Sequence, residues 1–250
     1  MKKTVIILSI LALIAGSCKQ ATNTEKNNFA DVSDSLKINE TVTYYFDAKI
    51  SVINSIADKL LLKSIYAPMG ISTDDYSENG LQKALLNLKE QYFSETKADD
   101  WDWANDMGAL EIYDRINMEV VSKKDNFLTI IYTQSGYAGG AHGFYHETYT
   151  MFDLKTGKEI LLENIIKNPE DEAWDRVLKD KLAAEYGDIE NMLLVDTIPL
   201  SVNFYFDEKG ITFVYNQYEI ASYAAGVISI QIPFKKIENL LTPDFIKRVL

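Results

Sequence analysis

The chain has 250 residues, with 37 acidic and 25 basic side chains, a formal charge of −12, and a single cysteine. One cysteine excludes a disulfide within the chain, so burial and hydrogen bonding must hold the fold. The acidic balance argues against a nucleic-acid partner, because polyanions are bound by clustered Lys and Arg, and it favours a basic protein or a cation.

Residues 1–17 begin with Lys2 and Lys3, run through an apolar stretch from Val5 to Ile14, and end on Ala15, Gly16 and Ser17, directly before Cys18. A bilayer-spanning helix takes about 20 apolar residues, so this stretch is too short. A basic start with a small-residue exit predicts a cleaved export signal. The arrangement resembles a bacterial lipoprotein signal, although Ala15 stands where Leu is usual. It predicts a lipid on Cys18, a membrane as partner, and a location in the cell envelope outside the cytoplasm. Loss of residues 1–17 leaves 23 basic against 37 acidic residues, a charge of −14. Residues 18–40 are rich in Asn, Thr, Ser, Asp and Glu and predict a flexible tether.

The folded part is expected from Thr41. Thr41–Lys49 reads as a strand. Ser51–Tyr66 carries apolar residues at helical spacing and ends at Pro68 and Gly70, and Leu81–Glu95 places Leu81, Leu85, Leu88 and Tyr92 on one helical face. Strands follow at Leu110–Ser122, Phe127–Gln134 and Phe144–Asp153, the first two joined by a hairpin turn at Lys123–Asn126. A short helix at Leu161–Lys167 and a longer one at Asp171–Tyr186, closed by Gly187, come next. Val202–Phe206, Ile211–Tyr215 and Val227–Ile232 read as strands, followed by helical turns at Pro233–Leu241 and Pro243–Val249. Strand and helix blocks are segregated, which predicts an α+β fold: a largely antiparallel sheet packed with helices, in two sequential subdomains, 41–155 and 156–250.

His142 and His146 are the only histidines. Glycines around His142 and β-formers after it predict loop and strand. Four strand residues separate side chains by roughly 13 Å, too far for one zinc ion, so no metal site and no cofactor is expected. There is no GxSxG elbow and the one thiol sits at the anchor, so no catalytic residue is assigned. Two carboxylates suffice for glycoside hydrolysis, which leaves a cell-wall hydrolase or deacetylase as the alternative to a non-catalytic protein.

Two segments carry a resemblance: Tyr137–Glu159, with Gly139, Gly140, Ala141 and His142 and the FDLKTG stretch Phe152–Gly157, and Phe204–Phe234, with NQYEIASYAAG at Asn216–Gly226. Together they resemble the RsiV-like domain of unknown function, the extracellular part of lysozyme-sensing anti-sigma factors. The resemblance implies an α+β envelope domain that binds a cationic lysozyme-like protein or a cell-wall glycan. The candidate binding residues are His142, Tyr145, Tyr218, Glu219 and Tyr223. The two loops are expected to touch, with Glu219 as a buried acceptor between them.

Overall fold

The computed structural model describes residues 28–105 and 108–250. The expected signal segment, Cys18 and residues 18–27 of the expected tether lie outside the described residues. The order is β1 (Asn28–Lys37), β2 (Val42–Val52), α1 (Lys59–Tyr66), α2 (Glu78–Glu95), β3 (Leu110–Lys124), β4 (Phe127–Tyr137), β5 (Phe144–Asp153), β6 (Lys158–Glu159), α3 (Leu162–Ile165), α4 (Ala173–Tyr186), β7 (Phe204–Phe206), β8 (Gly210–Tyr215), β9 (Ile228–Pro233), α5 (Phe234–Ile237) and α6 (Pro243–Val249). The fold is α+β. Six strands form one sheet in the order β1-β2-β3-β4-β5-β6, and β7-β8-β9 form a second.

The expected tether is corrected over Asn28–Lys37, which pairs antiparallel with β2 along its whole length. Its inward positions are Ala30, Val32, Asp34 and Leu36, so a period-2 pattern is present but carried by small or charged residues. Asp34 is accommodated by Lys89 of α2 at 2.7 Å. The helix expected from Ser51 begins only at Lys59, where Asp58 caps it by accepting from the Leu60 and Leu61 amides. Ser51 and Val52 belong to β2 instead. A parallel β2–β3 pair departs from the otherwise antiparallel pattern, because α1 and α2 supply the long crossover that parallel neighbours need. At the β3–β4 hairpin Asp125 and Asn126 both have positive φ, 52° and 69°, the combination a two-residue turn of matching twist requires.

α1 and α2 cover one face of the large sheet. Leu61, Ile65, Leu81 and Leu85 meet Phe46, Ile50, Met118, Leu128, Ile130 and Phe152, all buried. Buried hydroxyls are paired: Tyr66 Oη donates to the Ser51 carbonyl at 2.8 Å, and Tyr132 Oη donates to the Ile65 carbonyl at 2.7 Å. A second core joins Trp174, Leu178 and Leu182 of α4 to Phe213, Ile230 and Ile232 of the small sheet.

The small sheet's unit docks on the edge of β5 through side-chain amides rather than a strand. Asn203 Oδ1 accepts from the Tyr149 amide at 2.7 Å and its Nδ2 donates to the Glu147 carbonyl at 2.8 Å. Asn216 Oδ1 accepts from the Glu147 amide at 2.8 Å and its Nδ2 donates to the same carbonyl at 3.0 Å. Gln217 Oε1 takes the Tyr145 amide at 3.3 Å. Three side chains thus close an edge that would otherwise present unpaired backbone groups.

At the other end of β5, Asp153 is buried and paired with Arg248 of α6 at 2.9 Å. Burial alone would raise the Asp153 pKa, but the Lys155 amide and the Arg248 guanidinium outweigh it and hold the carboxyl below the usual range. A lowered folded pKa contributes stability that is present above the unfolded value, near 4, and is lost as pH falls through the folded one. Arg248 is half exposed, so Arg248→Leu is expected to cost only about 1 kcal/mol at pH 7. Thermal melts of variant and wild type should converge toward about pH 2, once Asp153 is protonated in both.

Candidate functional site

β2 and β3 start, and β4 ends, at the sheet end opposite the start of β1. There the glycine-rich loop joins β4 to β5. Gly139 has φ +74°, and a Cβ on it would lie 2.7 Å from the Trp103 ring, so the loop lies flat on that indole only because Gly139 has no side chain. Gly143 passes equally close to the Gly136 carbonyl, which a Cβ would approach to 2.5 Å. Tyr137 Oη donates to the Gly140 carbonyl at 2.9 Å and accepts from its amide at 3.2 Å, pinning the loop from the other side.

This loop presents His142 to the Asn216–Gly226 segment. The imidazole stacks on Tyr223 with ring centroids 3.9 Å apart and planes 25° apart. Its Nδ1 lies 2.9 Å from the Gly143 carbonyl and its Nε2 lies 3.4 Å from Tyr218 Oη. A carbonyl can only accept, so neutral His142 carries its proton on Nδ1 and leaves Nε2 to accept from the Tyr218 hydroxyl. The two loops therefore touch, and His142, Tyr218 and Tyr223 form one cluster.

Tyr218 adopts φ +69° while 58% exposed. A left-handed backbone is a rare and costly conformation for a bulky L-residue. A tight turn holds it: the Tyr218 amide donates to the Ala221 carbonyl and the Glu219 amide to the Asn216 carbonyl, each at 3.1 Å. The turn leaves the Tyr218 ring facing solvent beside His142 and Tyr223.

Glu219 departs from its expected role. It is exposed, and it accepts from Asn216 Nδ2 at 3.4 Å. The buried polar group of that segment is Asn216, whose amide is engaged by β5. Tyr145 lies on β5, outside the stacked cluster, with its hydroxyl on Glu147 at 2.9 Å. Burial and the Glu147 carboxylate push its pKa up to about 12. His146 follows on the strand opposite Gln134, as its β-forming neighbours predict. Among the described residues, no group of three or more His, Cys, Asp or Glu is placed to hold a metal ion.

Two further aromatic side chains complete the surface. Trp103 under Gly139 and Phe144 at the start of β5 are each 51% exposed. Exposed acidic side chains neighbour these aromatic groups in sequence: Asp99, Asp100 and Asp102 around Trp103, and Glu219 after Tyr218. The result is an aromatic rim whose chain segments carry exposed carboxylates. Sequence reading missed Trp103 as a site residue, though the Trp101–Trp103 pair after α2 was a visible signal.

Residues 153–235 match the family model described as Protein of unknown function (DUF3298). The matched segment runs from the end of β5 through β9, so it contains the Asn216–Gly226 half of the cluster, while the glycine loop precedes it. Two solved DUF3298 structures have a similar fold. The crystal structure of a DUF3298 family member from Bacteroides fragilis NCTC 9343 is 24% identical, with a TM-score of 0.69 over 90% of this chain and 99% of that one. A DUF3298 family protein from Pseudomonas aeruginosa PAO1 is 14% identical, with a TM-score of 0.56 over 88% and 96%. No curated protein matches the chain. At these identities the likeness to the DUF3298 structures shows the fold alone.

Proposed function

We propose that this protein is a non-catalytic, RsiV-like envelope lipoprotein whose aromatic rim binds a basic protein outside the cytoplasm. The observation that carries the reading is Tyr218, exposed on a left-handed turn and set against His142 and Tyr223, with the exposed carboxylate of Glu219 next in the chain. Exposed aromatic groups supply contact area at low entropic cost, and exposed carboxylates attract and orient a cationic partner. The resemblance of both loops to the RsiV-like domain supports a lysozyme-like protein as that partner.

Anchoring at Cys18 suits this geometry. Cys18 lies ten residues before Asn28, a span of at most about 36 Å however the segment runs. β1 starts at the sheet end opposite the rim, and from Asn28 to Leu36 it rises about 27 Å. A lipid on Cys18 would therefore join the domain at the end away from the rim, through a tether long enough to leave the rim free to turn.

Lysozyme serves as the probe. Immobilised hen-type lysozyme should bind the detergent-solubilised protein at low salt, and binding should weaken as the Debye length falls toward about 8 Å. No binding at low salt would eliminate a lysozyme-like partner, and salt-independent binding would eliminate the electrostatic account. Intact mass of the same sample reports separately whether Cys18 is the lipid-bearing N-terminus.

A further inference from the structure

A groove of about 960 Å³ lies between the first half of α4 and the segment 197–202, and we infer that it receives an extended, basic peptide segment of a partner protein. Its apolar lining is Leu162, Pro169, Pro199, Leu200 and Val202. Val202 is 83% exposed, more than any other large apolar side chain among the described residues. A small-molecule site encloses most of its ligand, whereas Glu170, Glu172, Arg176, Asp180, Pro199 and Val202 are all exposed. The occupant therefore lies along an open groove, as a chain does.

The walls are set before any partner arrives. Asp175 of α4 accepts from the Ile198 amide at 2.8 Å, and Tyr215 Oη donates to the Pro199 carbonyl at 2.7 Å, so the segment is fixed from both sides. Trp174 Nε1 donates to the Asn168 carbonyl at 3.1 Å and holds the turn that leads into α4. Further along, the backbone is left open: neither the amide nor the carbonyl of Leu200 or Val202 has a partner among the described residues. Open backbone groups flanked by exposed apolar side chains are what an extended peptide pairs with, its main chain giving affinity and its alternate side chains giving specificity.

Charge sets the sign of the occupant. Five carboxylates line the groove, those of Glu170, Asp171, Glu172, Asp175 and Asp180, against Arg176 and Lys179. Lys179 is engaged by Asp175 at 2.8 Å, and Asp171 accepts from the Ala173 amide at 3.0 Å. Glu170, Glu172 and Asp180 form no ion pair among the described residues, and only Arg176 is left to oppose them. An acidic segment would meet net repulsion here. A segment that alternates basic and apolar residues meets the carboxylates with one set of side chains and Leu200 and Val202 with the other.

The groove shares no residue with the rim and does not depend on what the rim binds. The test is calorimetric titration of the full chain in detergent with a capped hexapeptide that alternates lysine and valine, with its glutamate and valine counterpart, and with a fully N-methylated form of the first. The lysine peptide should bind saturably at low salt, and the glutamate peptide should not. Val202→Ser should weaken binding about fivefold, as loss of one apolar contact implies. Glu172→Gln combined with Asp180→Asn should also weaken it and flatten its salt dependence. N-methylation should cost at least about tenfold, since it removes the main-chain donors. All three substituted residues are exposed, so the variants should melt with the wild type. Tyr218→Gly should leave peptide binding unchanged. Absence of saturable binding at millimolar peptide overturns the inference, as does equal binding of the glutamate or the N-methylated peptide. Loss of affinity in Tyr218→Gly with none in Val202→Ser would place the peptide on the rim and overturn it too.

Discussion

Asn203→Ala should destabilise the protein by about 1–3 kcal/mol, although it removes no apolar packing. The side chain makes two hydrogen bonds to the β5 edge, one to the Tyr149 amide and one from its own Nδ2 to the Glu147 carbonyl. Asn203 is buried, so its loss leaves the Tyr149 amide without an easy replacement partner, while the Glu147 carbonyl keeps Asn216 Nδ2 at 3.0 Å. An unsatisfied buried polar group costs about 1–3 kcal/mol. Gln217→Ala is the control: its side chain makes a single, longer bond at the exposed end of the same edge, and it should cost under about 1 kcal/mol. Chemical denaturation of the two variants separates the amide clamp from a general effect of truncation. Equal losses would mean that the two units are held by their apolar contacts alone.

Tyr218→Gly should separate stability from binding. Glycine relaxes the left-handed backbone at no steric cost. It also adds freedom to the unfolded chain, so the net effect should lie between neutral and about 1 kcal/mol of stabilisation. Binding to the basic partner should fall at least about tenfold, because the exposed ring beside His142 is gone. Tyr218→Phe retains the ring but loses the hydroxyl that meets His142 Nε2, and it should fall between the two. A destabilised glycine variant would show that the ring holds the loop together, and that its strain serves folding rather than contact.

The comparison of sequence with structure turns on a few residues. The helix of Glu78–Glu95 and the hairpin at Asp125–Asn126 were legible because Leu81, Leu85 and Leu88 keep one period and the turn sits between two alternating runs. β1 was not, because Ala30 and Val32 are its small inward residues and Asp34 occupies an inward position whose partner, Lys89, lies 55 residues away. Nothing local distinguishes such a strand from a polar linker. The parallel β2–β3 pair was likewise invisible, since pairing direction depends on where α1 and α2 return the chain.

At the site, the two loops announced themselves through their unusual composition, and His142, Tyr218 and Tyr223 do converge. Which polar group of the second loop is buried was not readable. Asn216 and Glu219 are both polar members of one short segment, and only the position of the β5 edge decides that the amide, which can both donate and accept, takes the inner place. Asn203 carried no signal at all, because its role exists only once the second unit is docked.

The rim is tested most directly by an amide hydrogen-exchange footprint of a basic probe protein, lysozyme, on the full chain at low salt. Protection confined to Tyr137–Tyr145 and Gln217–Gly226 is the predicted result. Protection that falls instead on α1 and α2, or binding that leaves both loops exchanging at their free rates, would contradict the assignment of the rim.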